Sequence, residues 1–236
     1  MPFELSVKSL APGVGTGSAP ATELVITVER LLVAGWAARD RAAAEVHIHE
    51  LEVLGVPRPK TAPEFYHLSQ SLLTTSSSIQ VAGRDSTGEV ECVLFRNGDE
   101  WLVGVGSDHT DRKAEIFGIT LAKQLCPKPF ARHLWRWRDV AAHWDDLVLR
   151  SWAVKGEEST LYQEGSVSLL IHPMELLDIY RRRRGEEPGP GTVMFCGTVP
   201  ACNSIYWSDC FRIELLDPVL DRCLTHQYEV DSLETD

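Results

Sequence analysis

EVECVLFRNGDEWLVGVG, residues 89 to 106, is the stretch that decides the fold. Two apolar runs rich in β-branched and aromatic residues flank Asn97-Gly98-Asp99, and Asn-Gly between such runs is a strong hairpin signal. Upstream, SIQVAG (78–83) reads as a third strand, set off by the turn-forming RDSTG. The hairpin also frames a candidate site. Glu89 and Glu91 alternate on one strand, so both carboxylates project from the same face. Burying two like charges together is costly unless a cation neutralises them.

The partner strand runs into GSDHTDRKAE (106–115), where Asp108 can reach the same end of the sheet. Three carboxylates on one point are the oxygen-ligand set that a hard divalent cation prefers: Mg²⁺, Mn²⁺ or Ca²⁺. Taken alone, a solvated strand face and aspartates (Asp108, Asp111) that cap a turn through their own backbone are the commoner explanation.

Working outward, residues 10–22 are rich in Gly, Pro and small side chains and read as a leader or loop. ELVITVERLLVAG (23–35) reads as strand, turn, strand. From Arg39 to Leu54 the pattern turns helical, with Asp40 as a cap and Gly55 and Pro57 as stops. AEIFGITLAKQL (114–125) fits helix or strand, and DVAAHWDDLVLRSWAV (139–154) starts as helix and ends as strand. MELLDIYRRRRG (174–185) is a helix stopped by Gly185, and GTVMFCGT, FRIELLD and LTHQYEV alternate as strands. The expectation is an α+β fold dominated by antiparallel strands. Residues 1–38 would form a leader and strands packed on a main domain spanning 39–236.

Composition narrows the function. A net charge of −11 argues against a broad nucleic-acid surface, which needs a basic stripe. The run Arg181–Arg184 reads as a solvated helix end, where cations suit the dipole. No apolar run of about 18 residues that could span a bilayer is present. The six cysteines form no C-x-x-C pair and are read as reduced thiols of a cytoplasmic protein, none with a basic partner that would make it a nucleophile. Within AEVHIHELE (44–52), His47 and Glu50 share a helix face at i,i+3, whereas His47 and His49 do not. A histidine oriented by a carboxylate is a general-base arrangement, although an isolated pair of this kind is more often an exposed helix face.

In this order the motifs resemble the fumarylacetoacetate hydrolase superfamily over roughly residues 40 to 215. H-I-H-E (47–50) resembles its lid-helix H-x-x-E, and VPRPKTAPEFYHLSQSLL follows as the family's Pro and Phe before a Ser-rich stretch. Glu89 and Glu91 match its E-x-E, and SDHTDRKAE loosely matches N-D-x-S-x-R-D-x-Q. VKGEESTLYQEGSVS stands where the family has V-N-G and Q-D/E-G-x-T, and PGPGTVMFCGTVP where it has P-G-D-V-I-x-T-G-T-P. The resemblance implies a mixed, mainly antiparallel β-roll with a few short helices, and a homodimer. It implies a magnesium- or manganese-dependent enzyme that cleaves a carbon–carbon bond of a small oxo-acid, such as an acylpyruvate. In it, Glu89, Glu91 and Asp108 hold the metal, and His47 with Glu50 activates water. Lys128, twenty residues after Asp108, steadies an enolate, with Arg112 beside it, while Gly197 and Thr198 receive a substrate carboxylate. Glu115 stands where the family has Gln, so it is protonated, binds a cationic substrate group or orients Arg112. The same chemistry serves decarboxylation, hydration and tautomerisation, and a non-catalytic metabolite-binding homologue is a further alternative.

Overall fold

A computed structural model describes residues 3–10, 22–42, 45, 48–49, 52, 55 and 58–234. Two sheets carry the fold. The larger has eight strands in the spatial order β2 (Thr22–Val28), β1 (Phe3–Ser9), β12 (His133–Arg136), β9 (Glu100–Ser107), β8 (Val90–Asn97), β15 (Thr192–Thr198), β3 (Arg30–Gly35) and β4 (Glu64–Leu68). The smaller runs β14 (Glu158–Ser166), β13 (Val148–Lys155), β16 (Cys210–Asp217), β17 (Arg222–Leu233) and β6 (Ser78–Ala82). Pairing is antiparallel except at β1–β12, β15–β3 and β17–β6. Two short bridges complete it: β7 (Ser86–Thr87) antiparallel to β10 (Thr110–Asp111), and β5 (Leu73–Thr74) parallel to β11 (Lys128–Pro129).

The expected hairpin is β8–β9, closed where Asn97 faces Glu100 around Gly98, whose φ of 60° is the left-handed conformation glycine tolerates. Strand β8 is buried on both faces, which is why it reads as a nearly unbroken apolar run. Cys92 and Leu94 face one core with Ile213, Leu215 and Leu224 of the smaller sheet. Val93 and Phe95 face a second core, shared with Val7, Ile26, Val33, Leu102 and Phe195, around which the large sheet curls. Glycines on β9 permit that curl, since a Cβ on Gly106 would lie 2.7 Å from the Phe195 ring.

The expected α+β, mainly antiparallel roll is therefore observed. The ambiguous segment 114–125 is helical, a short 3₁₀ turn at Ala114–Phe117 followed by the helix Ile119–Gln124. The described residues between 41 and 52 are helical, but the Gly/Pro-rich stretch 11–21 lies outside the described residues. The arginine run closes the helix Pro173–Arg184 at Gly185, and Arg181 and Arg182 pair with Asp178. Among the described residues no helix is long and apolar enough to cross a membrane.

Candidate metal and active site

The β8–β9 hairpin brings the three acids together. Glu89 immediately precedes β8 and Asp108 immediately follows β9, and the Asp108 N–H donates to the Glu89 carbonyl at 2.9 Å. Glu91, two residues on, projects on the same side of the sheet as Glu89. One carboxylate oxygen from each of Glu89, Glu91 and Asp108 lies within 4.8 Å of the others. Glu91 and Asp108 are buried, and Glu89 is partly so.

Long-range partners fix each carboxylate. Glu91 Oε2 accepts the Gly197 N–H at 2.8 Å. The β8–β15 ladder is irregular there, and Gly197 has φ 97° with room for no side chain: a Cβ would sit 2.8 Å from that of Ala37. Thr198 donates its hydroxyl proton to the Val90 carbonyl at 2.8 Å and accepts from Gln163 Nε2 at 2.8 Å. Gln163 also donates to the Val199 carbonyl, while its Oε1 accepts from Val90 N at 3.0 Å and Ser151 Oγ at 3.0 Å. Its full hydrogen-bonding capacity thus braces the start of β8. Gly197 and Thr198, expected at the substrate, hold the ligand strand in this structure.

Cations surround the cluster. Lys123, on the buried side of the helix Ile119–Gln124, donates to Asp108 Oδ2 and lies 3.5 Å from Glu89 Oε2. Lys128 is fully buried, lies 3.0 Å from Asp108 Oδ1 and donates to the His109 carbonyl. Its approach to Oδ1 lacks hydrogen-bond alignment, so Oδ1 is a buried anionic oxygen without a hydrogen bond among the described residues. Arg112 bridges Glu89 Oε1 at 2.9 Å and Glu115 Oε1 at 3.0 Å. Glu115 therefore sits on Arg112, one of the roles open to a carboxylate at this position. His47 and Glu50 lie outside the described residues.

The protonation states follow from this geometry. Burial opposes ionisation of Asp108, but the adjoining Lys123 and Lys128 outweigh it and hold the carboxyl down at about 2. Burial likewise opposes ionisation of Glu89, and Arg112 and Lys123 overcome it. Glu91 goes the other way: burial, then the neighbouring Asp108 charge, push it well above the ordinary range. Lys123 is raised, because Asp108, Glu89 and Glu91 outweigh its desolvation. Lys128 is lowered, chiefly by burial. With all four carboxylates ionised, Glu89, Glu91, Asp108 and Glu115 exceed the three cations by one negative charge, and an oxygen-only donor set in which Asp108 Oδ1 has no aligned hydrogen bond suits a hard divalent cation.

Behind the acids, His109 is buried between Ser86 Oγ (3.0 Å from Nε2) and Tyr228 OH (3.1 Å from Nδ1). Tyr228 donates to Ser107 Oγ at 2.8 Å, and that oxygen accepts from Glu89 N at 3.2 Å. A tyrosine of the smaller sheet thereby braces residues on both sides of Asp108. Lys123 and Tyr228 were not anticipated from the sequence, and their only signal is polarity within otherwise apolar or alternating segments; Gln163 was legible only as the Gln of the QEG match, without a role.

A family model described as "Protein of unknown function (DUF2848)" matches residues 34–228. The chain belongs to that family. No curated protein matches it by sequence. Among solved structures, the DUF2848 chain is similar to yeast ynq8, a fumarylacetoacetate hydrolase family protein, at 16% identity over 89% of this chain and 95% of the other, with a TM-score of 0.62. It is similar to 2-keto-3-deoxy-D-arabinonate dehydratase complexed with magnesium and 2,5-dioxopentanoate, at 12% identity over 90% and 77%, with a TM-score of 0.61. It is also similar to Cg1458, at 14% identity over 98% and 89%, with a TM-score of 0.62. At these identities the likeness is one of fold, and the fold is that of the fumarylacetoacetate hydrolase family.

Proposed function

We propose that the protein is a divalent-metal-dependent enzyme acting on a small oxo-acid, and that its reaction is hydrolysis of a carbon–carbon bond in a β-dicarbonyl substrate such as an acylpyruvate. One observation carries the reading: three convergent carboxylate oxygens within 4.8 Å, with Lys123 seated against two of the three acids. The dehydratase that shares the fold is described with magnesium and a dioxo-acid, which supports an oxo-acid as the substrate class.

Glu89, Glu91 and Asp108 would hold Mg²⁺ or Mn²⁺, which supplies Lewis-acid polarisation to the carboxylate and oxo oxygens of a chelating substrate. The chain's own residues do the rest. Lys123 sits where its ammonium can donate to an oxygen that gains charge as the bond breaks, with Lys128 behind Asp108 adding to the positive field. Arg112 is clamped between Glu89 and Glu115 and fixes both carboxylates beside the site. His47, oriented by Glu50, is the base assigned on sequence grounds to take a proton from the attacking water.

A screen of acylpyruvates and related oxo-acids with Mg²⁺ or Mn²⁺, alongside metal analysis of the purified protein, tests the reading. Turnover should vanish with chelator and return with metal. Metal-independent turnover, or no divalent-cation binding, refutes it. The shared fold of a dehydratase favours a second reading, in which no water is activated. Near-normal turnover in His47→Ala together with loss in Lys123→Met would select that class.

A further inference from the structure

We propose that Tyr206, on the loop joining β15 to β16, reads the carbon tail of the substrate and selects oxo-acids whose tail carries a flat apolar group. This rests on the oxo-acid reading above. The loop begins three residues after Thr198, which faces Glu91 in the β8–β15 ladder. Both of its ends are fastened. Ala201 bridges to Gln163, the Cys202 N–H donates to the Tyr162 carbonyl at 2.8 Å, and the Asp209 carbonyl accepts from Val230 N at 2.8 Å. Between these fastenings two neighbouring large side chains face solvent, Ile205 at 56% exposure and Tyr206 at 37%. A single exposed apolar residue is ordinary. The position of this pair is what gives it meaning.

Tyr206 packs edge-on against Tyr162, with ring centroids 5.1 Å apart and planes at 80°. The Tyr162 hydroxyl shares a 2.8 Å hydrogen bond with Thr87 Oγ1, and Thr87 comes two residues before Glu89. Burial raises the Tyr162 phenol; its bond to Thr87 and the nearby Arg112 pull it down, and Glu89 pushes it up. Both charged groups of the site therefore act on this phenol, and one side chain separates them from Tyr206. On the other flank, the Arg84 guanidinium lies 5.9 Å from the centre of the Trp207 ring, and the carbonyl of the adjacent Asp85 accepts the Arg112 N–H at 2.8 Å. The loop is thus pinned on both sides of Arg112. Tyr162 covers one part of the Tyr206 ring and leaves the rest open. A substrate chelated at the acids and extending past Arg112 meets that ring, and aromatic pairs gain edge-to-face or offset contact that a puckered group does not.

The test uses unreactive chelating probes on Mn²⁺-loaded protein: oxamate and its N-benzyl and N-cyclohexylmethyl derivatives, measured by calorimetry. In the wild-type protein the benzyl probe should bind about tenfold tighter than oxamate, and the cyclohexylmethyl probe should gain less. Tyr206→Ala should bring the ratio of benzyl to unsubstituted affinity toward one, and Tyr206→Phe, which keeps the ring, should retain most of it. Hydrogen exchange on the wild-type protein needs no variant to fold: amides of residues 201–209 should slow with the benzyl probe and not with Mn²⁺ alone. A benzyl preference that is absent in wild type or unchanged in Tyr206→Ala, a cyclohexylmethyl probe that binds as tightly as benzyl, or unslowed exchange in the loop overturns the tail-reading role. If oxamate still binds in that case, the metal reading stands. No binding of Mn²⁺ or of oxamate overturns both.

Discussion

Replacing Lys123 by Met removes the one cation among the described residues that touches two of the three candidate ligands and nearly preserves side-chain volume. At the 3.5 Å separation from Glu89 Oε2, a unit-charge pair at an effective dielectric of 20 is worth about 5 kcal/mol before desolvation. The closer contact with Asp108 adds to this, while desolvation of the ammonium subtracts from it. Breaking a buried pair by removing one partner typically costs about 3–5 kcal/mol, because the other charge stays buried and unpaired. In a chain of this size about 1 kcal/mol moves the melting temperature by roughly 2–4 °C, so the metal-free variant should melt roughly 6–20 °C below wild type. Adding Mn²⁺ should recover more stability in the variant than in wild type, since the ion takes over neutralisation of the same oxygens; at a hundred times Kd, binding contributes about 2.7 kcal/mol. The assay is a thermal melt of both proteins in chelator and in a Mn²⁺ series. A metal-free melting point equal to wild type, or an identical Mn²⁺ response in both, would refute the electrostatic account of the cluster.

Three further outcomes are expected. Gly197→Ala places a Cβ 2.8 Å from that of Ala37 at φ 97° and displaces the N–H that holds Glu91. It should lose roughly 1–3 kcal/mol by urea denaturation and weaken Mn²⁺ binding together. Gln163→Leu strands the Val90 N–H and removes the donor to Thr198, each buried loss costing about 1–3 kcal/mol, so the urea midpoint should fall clearly; an unchanged midpoint would show that the brace contributes nothing. Away from the site, Asp217 accepts from Arg222 Nε at 2.9 Å and lies 3.0 Å from His143 Nε2, both on buried oxygens. Burial opposes the Asp217 charge, but the adjoining His143 and Arg222 and the Leu220 N–H outweigh it and depress its pKa. Its contribution is complete above the unfolded value of about 3.9 and is lost as pH falls through the lower folded value. Asp217→Asn should therefore cost about 3–5 kcal/mol at neutral pH and show a shallower acid limb in a pH series of melts.

The β8–β9 hairpin was legible from local information. Asn97-Gly98 selects a tight turn, and the flanking apolar runs select strands, so the spatial convergence of Glu89 and Glu91 with Asp108 follows from register alone. The same holds for the helix that ends at Gly185 and for the alternating strands β16 and β17. Segment 114–125 was ambiguous because its short apolar run fits either period, and burial of Ala122 and Lys123 on one side of a six-residue helix resolves it.

The partners of the acids were decided only by tertiary structure. Lys123 comes fifteen residues after Asp108, Gln163 is 73 residues from the Val90 N–H it caps, and Tyr228 stands 121 residues from Ser107. Neither Lys123 nor Tyr228 sits in a local pattern that marks it, and the QEG match that contains Gln163 does not say what that side chain caps. Their roles arise because the large sheet curls and the smaller sheet packs on it, bringing polar tips from a helix and from distant strands to one buried end. Sequence periodicity specifies which face a side chain occupies. Which charge neutralises which, and so which oxygens remain open to a cation, depends on distances set by the packing of the two sheets.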